Sequence, residues 1–567
     1  MSFASKVLTL AAVGALITAG VVGYSSINEG ATAQNAGANG DRVVFHRGNG
    51  AEPASLDPHK ASGTWENNII GDMFLALYTE DELGAPVPGA ISGHTISDDL
   101  LVHTFTLRDD IVWSDGVPVT AHDFEFAFRR IINPNTAARY ASILYLIENA
   151  EELNTSDDLE NLEERMTSLG VHALDDMTLE IRLDHPAPYL PQLLTHYTAY
   201  PVPRHTIEEF GDRWSRPGNM VSNGAYTLAE WVPNDHITLV KNDLFYDADN
   251  VNIDEIIVYP TDDESAALRR FRAGELDANT GFPSQQFEWL QENMPDEMRV
   301  AQYISTTYIL FNMDDPAFQD LGVRQALSMA IDRTTITEQV LRTGQQPTFT
   351  LVPPLMPNYT PPTVFYENMT MEERVAAARE LMREAGYSPE NPLQFEYRYM
   401  EGVDSRRYAV AVAGFWEAIY VDVDLINTEP ATHYADLESH NFAMGGAGWI
   451  ADYADPENYL FLFDSASGGL NYALYNNPTY DALLAQAAIT ADPGERSAIL
   501  QEAEALILSE APFIPTHNSV SKSLVGRQVV GWEDNVVHIH RTRYMSIDES
   551  QRTVHEGFVD QIMRWFN

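Results

Sequence analysis

The stretch from 445 to 453 reads GGAGWIADY and brings glycines, aromatic rings and a carboxylate together within nine residues. Glycines inside a strand leave room for a second backbone to approach closely. Trp449 and Tyr453 then set aromatic surface beside the carboxylate of Asp452, and such a group could hold an ammonium. The alternative is a tight turn in which Asp452 caps the next segment and Trp449 belongs to the core. The residues alone leave both interpretations open.

Outward from this stretch, short β-branched runs alternate with amphipathic helices over some five hundred residues. The patterns predict strands at 43–45, 103–107, 178–183, 237–240, 256–259 and 421–425. They predict a helix from the N-cap Thr120 to Asn133, and further helices over 323–331, 375–385, 480–488 and 496–509. Interleaved strands and helices without an internal repeat indicate an α/β fold with partly parallel sheets, in two lobes with a cleft between them.

Composition narrows the class of protein further. The chain has 567 residues, of which 44% are apolar, so it can bury two or three packed units. Its net charge of -49 repels phosphate groups and argues against a nucleic-acid partner. With no cysteine, the chain has neither disulfides, nor a thiol nucleophile, nor a lipid attached at a cysteine, so we do not expect a lipoprotein.

The first 33 residues have the features of an export signal. Lys6 precedes an apolar run from 7 to 23, and small residues follow as far as Ala33. We expect cleavage after Ala33, with an uncleaved membrane anchor as the alternative. Residues 34–42, rich in Gly, Ala and Asn, are predicted to form a linker.

A search for catalytic signatures finds none. The sequence contains no nucleophile elbow, Walker loop or His-Glu-x-x-His zinc motif. The glycines at 445–448 are followed by Trp449, where a dinucleotide fingerprint requires a helix. His538 and His540 alternate as in a strand, which favours satisfied or solvent-facing histidines over a pair of metal ligands. We therefore expect no cofactor, no metal and no enzymatic activity.

Four segments that lie far apart in the chain together resemble the oligopeptide-binding protein family of ATP-driven importers, a branch of the periplasmic solute-binding proteins. They are RGNGAEPASLDPH at 47–59, the residues from Phe105 to Phe124 around WSDG at 113–116, VSNGAY at 221–226 with 323–333, and AGWIADYADP at 447–456. The similarity spans about residues 43 to 546.

The resemblance implies a two-lobed periplasmic-binding-protein fold of type II, with an extra domain inserted in lobe I and hinge strands between the lobes. The implied borders place lobe I at 43–78 and 204–303, the extra domain at 79–203, lobe II at 304–516, a return to lobe I at 517–548 and a tail at 549–567.

The resemblance also implies a function, that of the periplasmic substrate-binding subunit of an ABC peptide importer. Such a subunit is expected to be a monomer that captures extended oligopeptides between closing lobes and delivers them to membrane permease subunits. Asp452 matches the residue that binds the peptide α-ammonium. The other matching ligand contacts are Gly448 and Ile450 on lobe II, Trp449 and Tyr453 as aromatic walls, Glu52 and Ala54 on lobe I, Tyr140, and Asn279.

The sequence departs from the family at the far end of the cleft. A lysine, a histidine and two arginines that meet the peptide carboxylate are replaced by Asp315, Ser405, Leu437 and Gly446, and a nearby tryptophan by Pro430. Burying a carboxylate there without a counter-charge is unfavourable, so we expect tripeptides to bind more weakly than peptides of about five or more residues. Arg406 and Arg407 are candidate substitutes unless they belong to a solvated helix face.

These departures leave several functions to compare with oligopeptide binding. Within the same fold, the ligand could be unusual, such as a cell-wall peptide, a modified peptide or a polyamine-like cation. Other classes are an enzyme that acts on a captured peptide and a chaperone-like holder of unfolded chains.

Overall fold

A computed structural model describes residues 42–552 except 157, 159 and 160. The described residues do not include the expected export signal, the predicted linker apart from residue 42, or the end of the tail. Among the helices that are described, none is both long and apolar enough to cross a lipid bilayer.

The strands follow one another in the order β1 Val44–Gly48, β2 Tyr78–Glu80, β3 Pro86–Pro88, β4 Ile91–Ile96, β5 Val102–Leu107, β6 Val171–Asp175, β7 Thr178–Arg182, β8 Tyr226–Val232, β9 His236–Lys241, β10 Glu255–Tyr259, β11 Ala278–Asn279, β12 Met298–Phe311, β13 Gln346–Pro347, β14 Leu393–Met400, β15 Val421–Thr428, β16 Met444–Ile450, β17 Phe513–Val525, β18 Val529–Val530 and β19 Ser546–Ile547.

The α-helices are α1 Thr64–Met73, α2 Ala121–Ile132, α3 Ala150–Asn154, α4 Leu162–Arg165, α5 Leu190–Leu193, α6 Arg204–Phe210, α7 Glu264–Arg272, α8 Phe287–Asn293, α9 Leu321–Ala330, α10 Arg333–Thr335, α11 Met371–Glu384, α12 Val403–Glu417, α13 Pro430–Glu438, α14 Glu457–Leu460, α15 Pro478–Ala488 and α16 Pro493–Glu510. These positions confirm the strands and helices that the sequence predicted, with ends that shift by a few residues.

The largest sheet joins the two halves of the molecule through two long strands. Its order is β15-β14-β16-β12-β17-β11-β1-β10-β9-β8. Strands β12 and β17 pair antiparallel through both halves, and their register shifts between Gln302 and Thr306. Strand β1 runs parallel to β10, and β14 runs parallel to β15, as expected for α/β layers. The sheet therefore has an arm on each side of a shared pair of strands.

Separate apolar cores lie on these two sides. One core gathers residues such as Phe45, Phe105 and Trp113, and another contains Phe311 and Trp416. The segment 79–203 adds a four-stranded antiparallel sheet in the order β4-β5-β7-β6. Two separately packed cores permit movement of one side against the other about the strands that they share.

Helix α2 begins as predicted, at a local signal. The Asp123 carboxylate accepts a hydrogen bond from the backbone N–H of Thr120 (2.8 Å), and the helix ends at Asn133 before a proline. In contrast, the interpretation of His538 and His540 as strand residues is wrong. His538 has a φ of +54°, and its backbone N–H donates to the carbonyl of Asn535 in a turn. Alternation over three residues does not distinguish a strand from such a turn.

Candidate functional site

Strand β16 carries the glycine-rich stretch, and one of its edges is open. Strand β12 pairs with it along its full length, whereas β14 pairs only with Met444 and Gly445. No other described strand pairs with the edge from Gly446 to Ile450, although the carbonyl of Gly446 already accepts a hydrogen bond from the ring of His433 (2.7 Å). Gly448 is exposed and has no side chain to cover this edge. The stretch is thus a strand with an accessible backbone, as the first of the two interpretations predicted.

Asp452 lies two residues beyond the end of β16. Its backbone N–H donates to the side-chain oxygen of Asn458 (3.0 Å), which also accepts from the indole nitrogen of Trp449 (3.0 Å). One amide oxygen therefore positions both residues. At the start of the next helix it is the carboxylate of Asp455, just before the N-cap position Pro456, that accepts from the backbone N–H of Glu457 (2.9 Å). The interpretation of Asp452 as a helix cap is not supported.

The Asp452 carboxylate faces a cavity of about 480 Å³, which we call cavity A and define by Tyr140, Tyr303, Ile450, Asp452 and Tyr453. Burial raises the pKa of Asp452 to about 6, because the charged form loses water. Burial, with a further contribution from the Asp452 charge, raises the pKa of Tyr140 and that of Tyr303 to about 12. The site therefore disfavours negative charge.

The other ionisable groups on the wall of cavity A do not neutralise Asp452. Glu80 is already paired with Arg541 (3.0 Å). Burial lowers the pKa of His196 to about 3 and that of His538 to about 4, so both rings are neutral near pH 7. Among the described residues, no cation forms an ion pair with Asp452. Cavity A thus presents one carboxylate without a counter-charge, and it can accept a cation.

Tyr453 connects cavity A to the segment 79–203. Its ring stacks on that of Tyr189, with centroids 4.8 Å apart and planes inclined by 6°. The guanidinium of Arg496 lies 5.4 Å from the Tyr189 ring centroid and forms two hydrogen bonds with Asp455, at 2.7 and 2.9 Å. The chain next to Asp452 is therefore held from both sides of the cleft.

The remaining predicted site residues lie elsewhere. Glu52 accepts a hydrogen bond from Trp231 (2.7 Å), and the backbone N–H of Ala54 donates to Glu66 (3.0 Å). The Asn279 side chain is buried, and its amide donates to the carbonyl of residue 281. Neither Glu52, Ala54 nor Asn279 lines cavity A.

Strand β16 also lines a second cavity, of about 340 Å³, which we call cavity B and define by Ser284, Ser405, Gly446, Gly448 and Lys522. Because Gly446 to Gly448 border cavity B and Ile450 to Ala454 border cavity A, the open edge runs from one to the other. Cavity B is therefore the end of the cleft at which the sequence departs from the family.

The four replaced positions do not leave this end without a basic side chain, because Lys522 of β17 lines cavity B. Of the four replaced positions, only Ser405 and Gly446 border the cavity. Leu437 is fully buried in the core, and Asp315 accepts from the backbone N–H of residue 317 at the start of a short helix. In the sequence, the only signal for Lys522 is a lone lysine within a run of small and apolar residues.

Arg406 and Arg407 do not substitute for the missing cations. Arg406 is exposed on α12, and Arg407 pairs with Asp404 (3.3 Å) and donates to the carbonyl of Val340. Neither arginine lines cavity B. The interpretation of this pair as part of a solvated helix face agrees with the structure.

No group of three or more His, Cys, Asp or Glu side chains in the described part of the chain is arranged to hold a metal ion. The two cavities together offer an open backbone edge with a carboxylate at one end and an ammonium at the other.

Known proteins share this architecture. Residues 85–471 match the family described as bacterial extracellular solute-binding proteins, family 5 Middle. The periplasmic oligopeptide-binding protein OppA of Salmonella typhimurium is 35% identical over 528 residues, which cover 91% of this chain and 95% of that protein. The structure of the Escherichia coli murein tripeptide binding protein MppA has a TM-score of 0.77 at 34% identity, covering 90% of this chain and 99% of that one.

A third relative carries a ligand. The crystal structure of Haemophilus influenzae OppA in complex with RPPGFSPFR has a TM-score of 0.76 at 33% identity, and the match covers 90% of this chain and 99% of that one. These similarities confirm the resemblance found in the sequence and the two-lobed fold that it implied.

Proposed function

The chain belongs to the bacterial extracellular solute-binding proteins of family 5, and from that membership we propose that it is the periplasmic substrate-binding subunit of an ABC-type peptide importer. Its ligands are oligopeptides held in extended form. The similar OppA proteins support this class of ligand, since one is named as an oligopeptide-binding protein and another was crystallised with a peptide.

The observation that carries the proposal is the open edge of β16, which ends beside a carboxylate that has no counter-charge. A peptide can add to the edge between residues 447 and 450 as a further strand, with main-chain hydrogen bonds that depend little on its side chains. Its α-ammonium then supplies the counter-charge that Asp452 lacks, in a charge-assisted contact shielded from water. In this pose the peptide runs antiparallel to β16, with its amino terminus in cavity A.

Closure of the lobes would complete the site. The register shift of β12 and β17 between Gln302 and Thr306 supports a hinge near the proposed border at residue 303. We also propose the remaining borders near residues 78, 203 and 516. In the closed state, we propose that Glu52, Ala54 and Asn279 contact the ligand. The protein works as a monomer that delivers ligand to membrane permease subunits, without turnover of the ligand.

Mass spectrometry of the material that co-purifies with the gently isolated protein, after acid release, tests this proposal. Peptides of several sequences are expected. A single cell-wall peptide, a modified peptide or a polyamine would instead assign the alternative ligand class.

Titration calorimetry with a pentapeptide and its N-acetylated form provides the matched control. The free form is expected to bind and the acetylated form to bind much more weakly, since acetylation removes the ammonium. Equal affinities for both forms would remove Asp452 from the proposed role, and the absence of binding by any peptide would refute peptide capture.

A further inference from the structure

Lys522 is held in a fixed position on the wall of cavity B. Its ammonium donates to the carbonyl of Phe282 (3.2 Å) and to the hydroxyl of Ser284 (3.1 Å), and it lies 5.5 Å from the centroid of the Phe282 ring. All three of these interactions are with neutral groups. Because an ammonium has three N–H donors, one donor stays available for a further acceptor.

The carboxylates around Lys522 do not neutralise it. Among the described residues, none lies within ion-pair distance of its ammonium. Asp404 also lines cavity B, but it pairs with Arg407 (3.3 Å). The other acidic neighbour, Glu264, does not border the cavity. Burial raises the pKa of Glu264, and the charge of Lys522 only partly opposes this shift. Lys522 is therefore a half-buried cation with an unused donor.

A helix N-terminus and a histidine are further polar features of the cavity B wall. Helix α12 begins at the cavity wall, where Ser405 lies in its first turn, and the N-cap residue Gly402 has no side chain to cap it. Asp404 lies in the same first turn, and its carboxylate offsets the positive end of the helix dipole. His517, on the same wall, is neutral near pH 7 because burial lowers its pKa to about 4.

The spacing between the two charged ends follows from β16. Asp452 lies four to six residues beyond the stretch Gly446–Gly448 that borders cavity B, and an extended chain rises by about 3.3 Å per residue. A peptide paired with this edge therefore reaches from cavity A into cavity B with about four to six residues. A tripeptide is shorter than this span.

We propose that Lys522 binds a carboxylate of the ligand in cavity B, and that the cleft thereby selects peptides with an anionic group about four to six residues from the amino terminus. This inference rests on the proposed function, since it requires the amino terminus at Asp452. The carboxylate comes either from the carboxyl terminus of a short peptide or from an acidic side chain of a longer one. Both sources present the same group to Lys522.

Calorimetry with peptides of alternating Val and Ser, three to seven residues long and with free or amidated carboxyl termini, tests the inference. Amidation is expected to weaken binding by about tenfold at one length between four and six residues, as for a partly desolvated ion pair. For the tripeptide it should strengthen binding, because that carboxylate is enclosed without a partner. An amidated pentapeptide with Asp in the last position should regain affinity if a side chain can supply the carboxylate.

Variants assign the effect to Lys522. Lys522→Met should abolish the difference between the free and amidated forms, whereas Lys522→Arg should retain most of it. Lys60→Met, at an exposed lysine outside both cavities, is the matched control and should behave as the wild type. Thermal melting of each variant checks that it folds.

The outcomes separate this inference from the proposed function. If peptides bind through Asp452 but amidation has no effect at any length in the wild type, or has the same effect in Lys522→Met, the role of Lys522 is overturned and peptide binding stands. If no peptide binds, both are overturned.

Discussion

The Asp452→Asn variant and the pH dependence of binding together test the ammonium site. Asparagine keeps the shape of the side chain but removes its charge, so a bound peptide ammonium would lie in cavity A without a partner. Removing one partner of a desolvated ion pair costs about 2 to 5 kcal/mol. We expect Asp452→Asn to bind free peptides roughly 30-fold to several thousand-fold more weakly than the wild type near pH 7.

The pH dependence follows from the same carboxylate. Burial raises the pKa of Asp452 to about 6 in the ligand-free protein, while a peptide ammonium keeps its proton up to about pH 7.7. Both groups are therefore charged between pH 6 and 7.5. Below pH 6 the carboxyl group must release a proton before it binds, so affinity should be about tenfold weaker at pH 5 than at pH 7. In Asp452→Asn this decline should be absent.

The contribution of Asp452 to the stability of the protein without peptide should decrease as the pH rises, whereas its contribution to peptide affinity should increase. The pKa of Asp452 in the folded protein lies above its ordinary value of 3.8, so the folded state holds this proton more tightly than the unfolded chain. The contribution of Asp452 to stability is present below about pH 4 and is lost as the pH rises through 6. Asp452→Asn should remove this part of the pH dependence of the free energy of unfolding.

Titration calorimetry at pH 5, 6, 7 and 8, in buffers with different ionisation enthalpies, measures both the affinity and the proton released on binding. Asp249→Asn, at an exposed carboxylate outside both cavities, is the matched control. The reasoning fails if Asp452→Asn binds free peptides as tightly as the wild type. It also fails if the two proteins lose affinity equally between pH 7 and pH 5.

Three further predictions concern other parts of the molecule. Tyr189→Leu removes the stacking on Tyr453, so it should reduce the free energy of unfolding in urea by about 1 kcal/mol and weaken peptide binding. If neither quantity changes, a contact across the cleft is contradicted. Burial raises the pKa of Glu504 to about 7, so its contribution to stability is present below about pH 4.5 and is lost as the pH rises through 7. In Glu504→Gln, the free energy of unfolding in urea should vary less with pH between 6 and 8 than in the wild type. An equal variation in both proteins would assign this pH dependence to other groups. Peptides incubated with the protein, with or without divalent metal, should be recovered intact by mass spectrometry, and cleavage products that follow the pure protein would indicate an enzyme.

The sequence determined those features that depend on neighbours within a few residues. The helix that follows Thr120 was predictable because Asp123 lies close enough to hydrogen-bond with the start of its own helix. The strand at β16 and its candidate ligand Asp452 could be identified together because the glycines, Trp449 and the carboxylate are consecutive. Resemblance over distant segments then supplied the two-lobed order of the chain.

Only the tertiary structure decided how the binding cleft is built. The open edge of β16 exists because β14 pairs with Met444 and Gly445 and no further, and the missing counter-charge at Asp452 is a property of the surrounding wall. Lys522 lies 70 residues after Asp452 in the sequence but lines the neighbouring cavity. It pairs with Val300 of β12, whereas β16 pairs with Ser305 to Phe311, so only the folding of the two halves over the shared strands brings Lys522 near β16. Patterns of periodicity and capping report on local geometry, whereas a cavity is lined by groups whose distance along the chain has no relation to their distance in space.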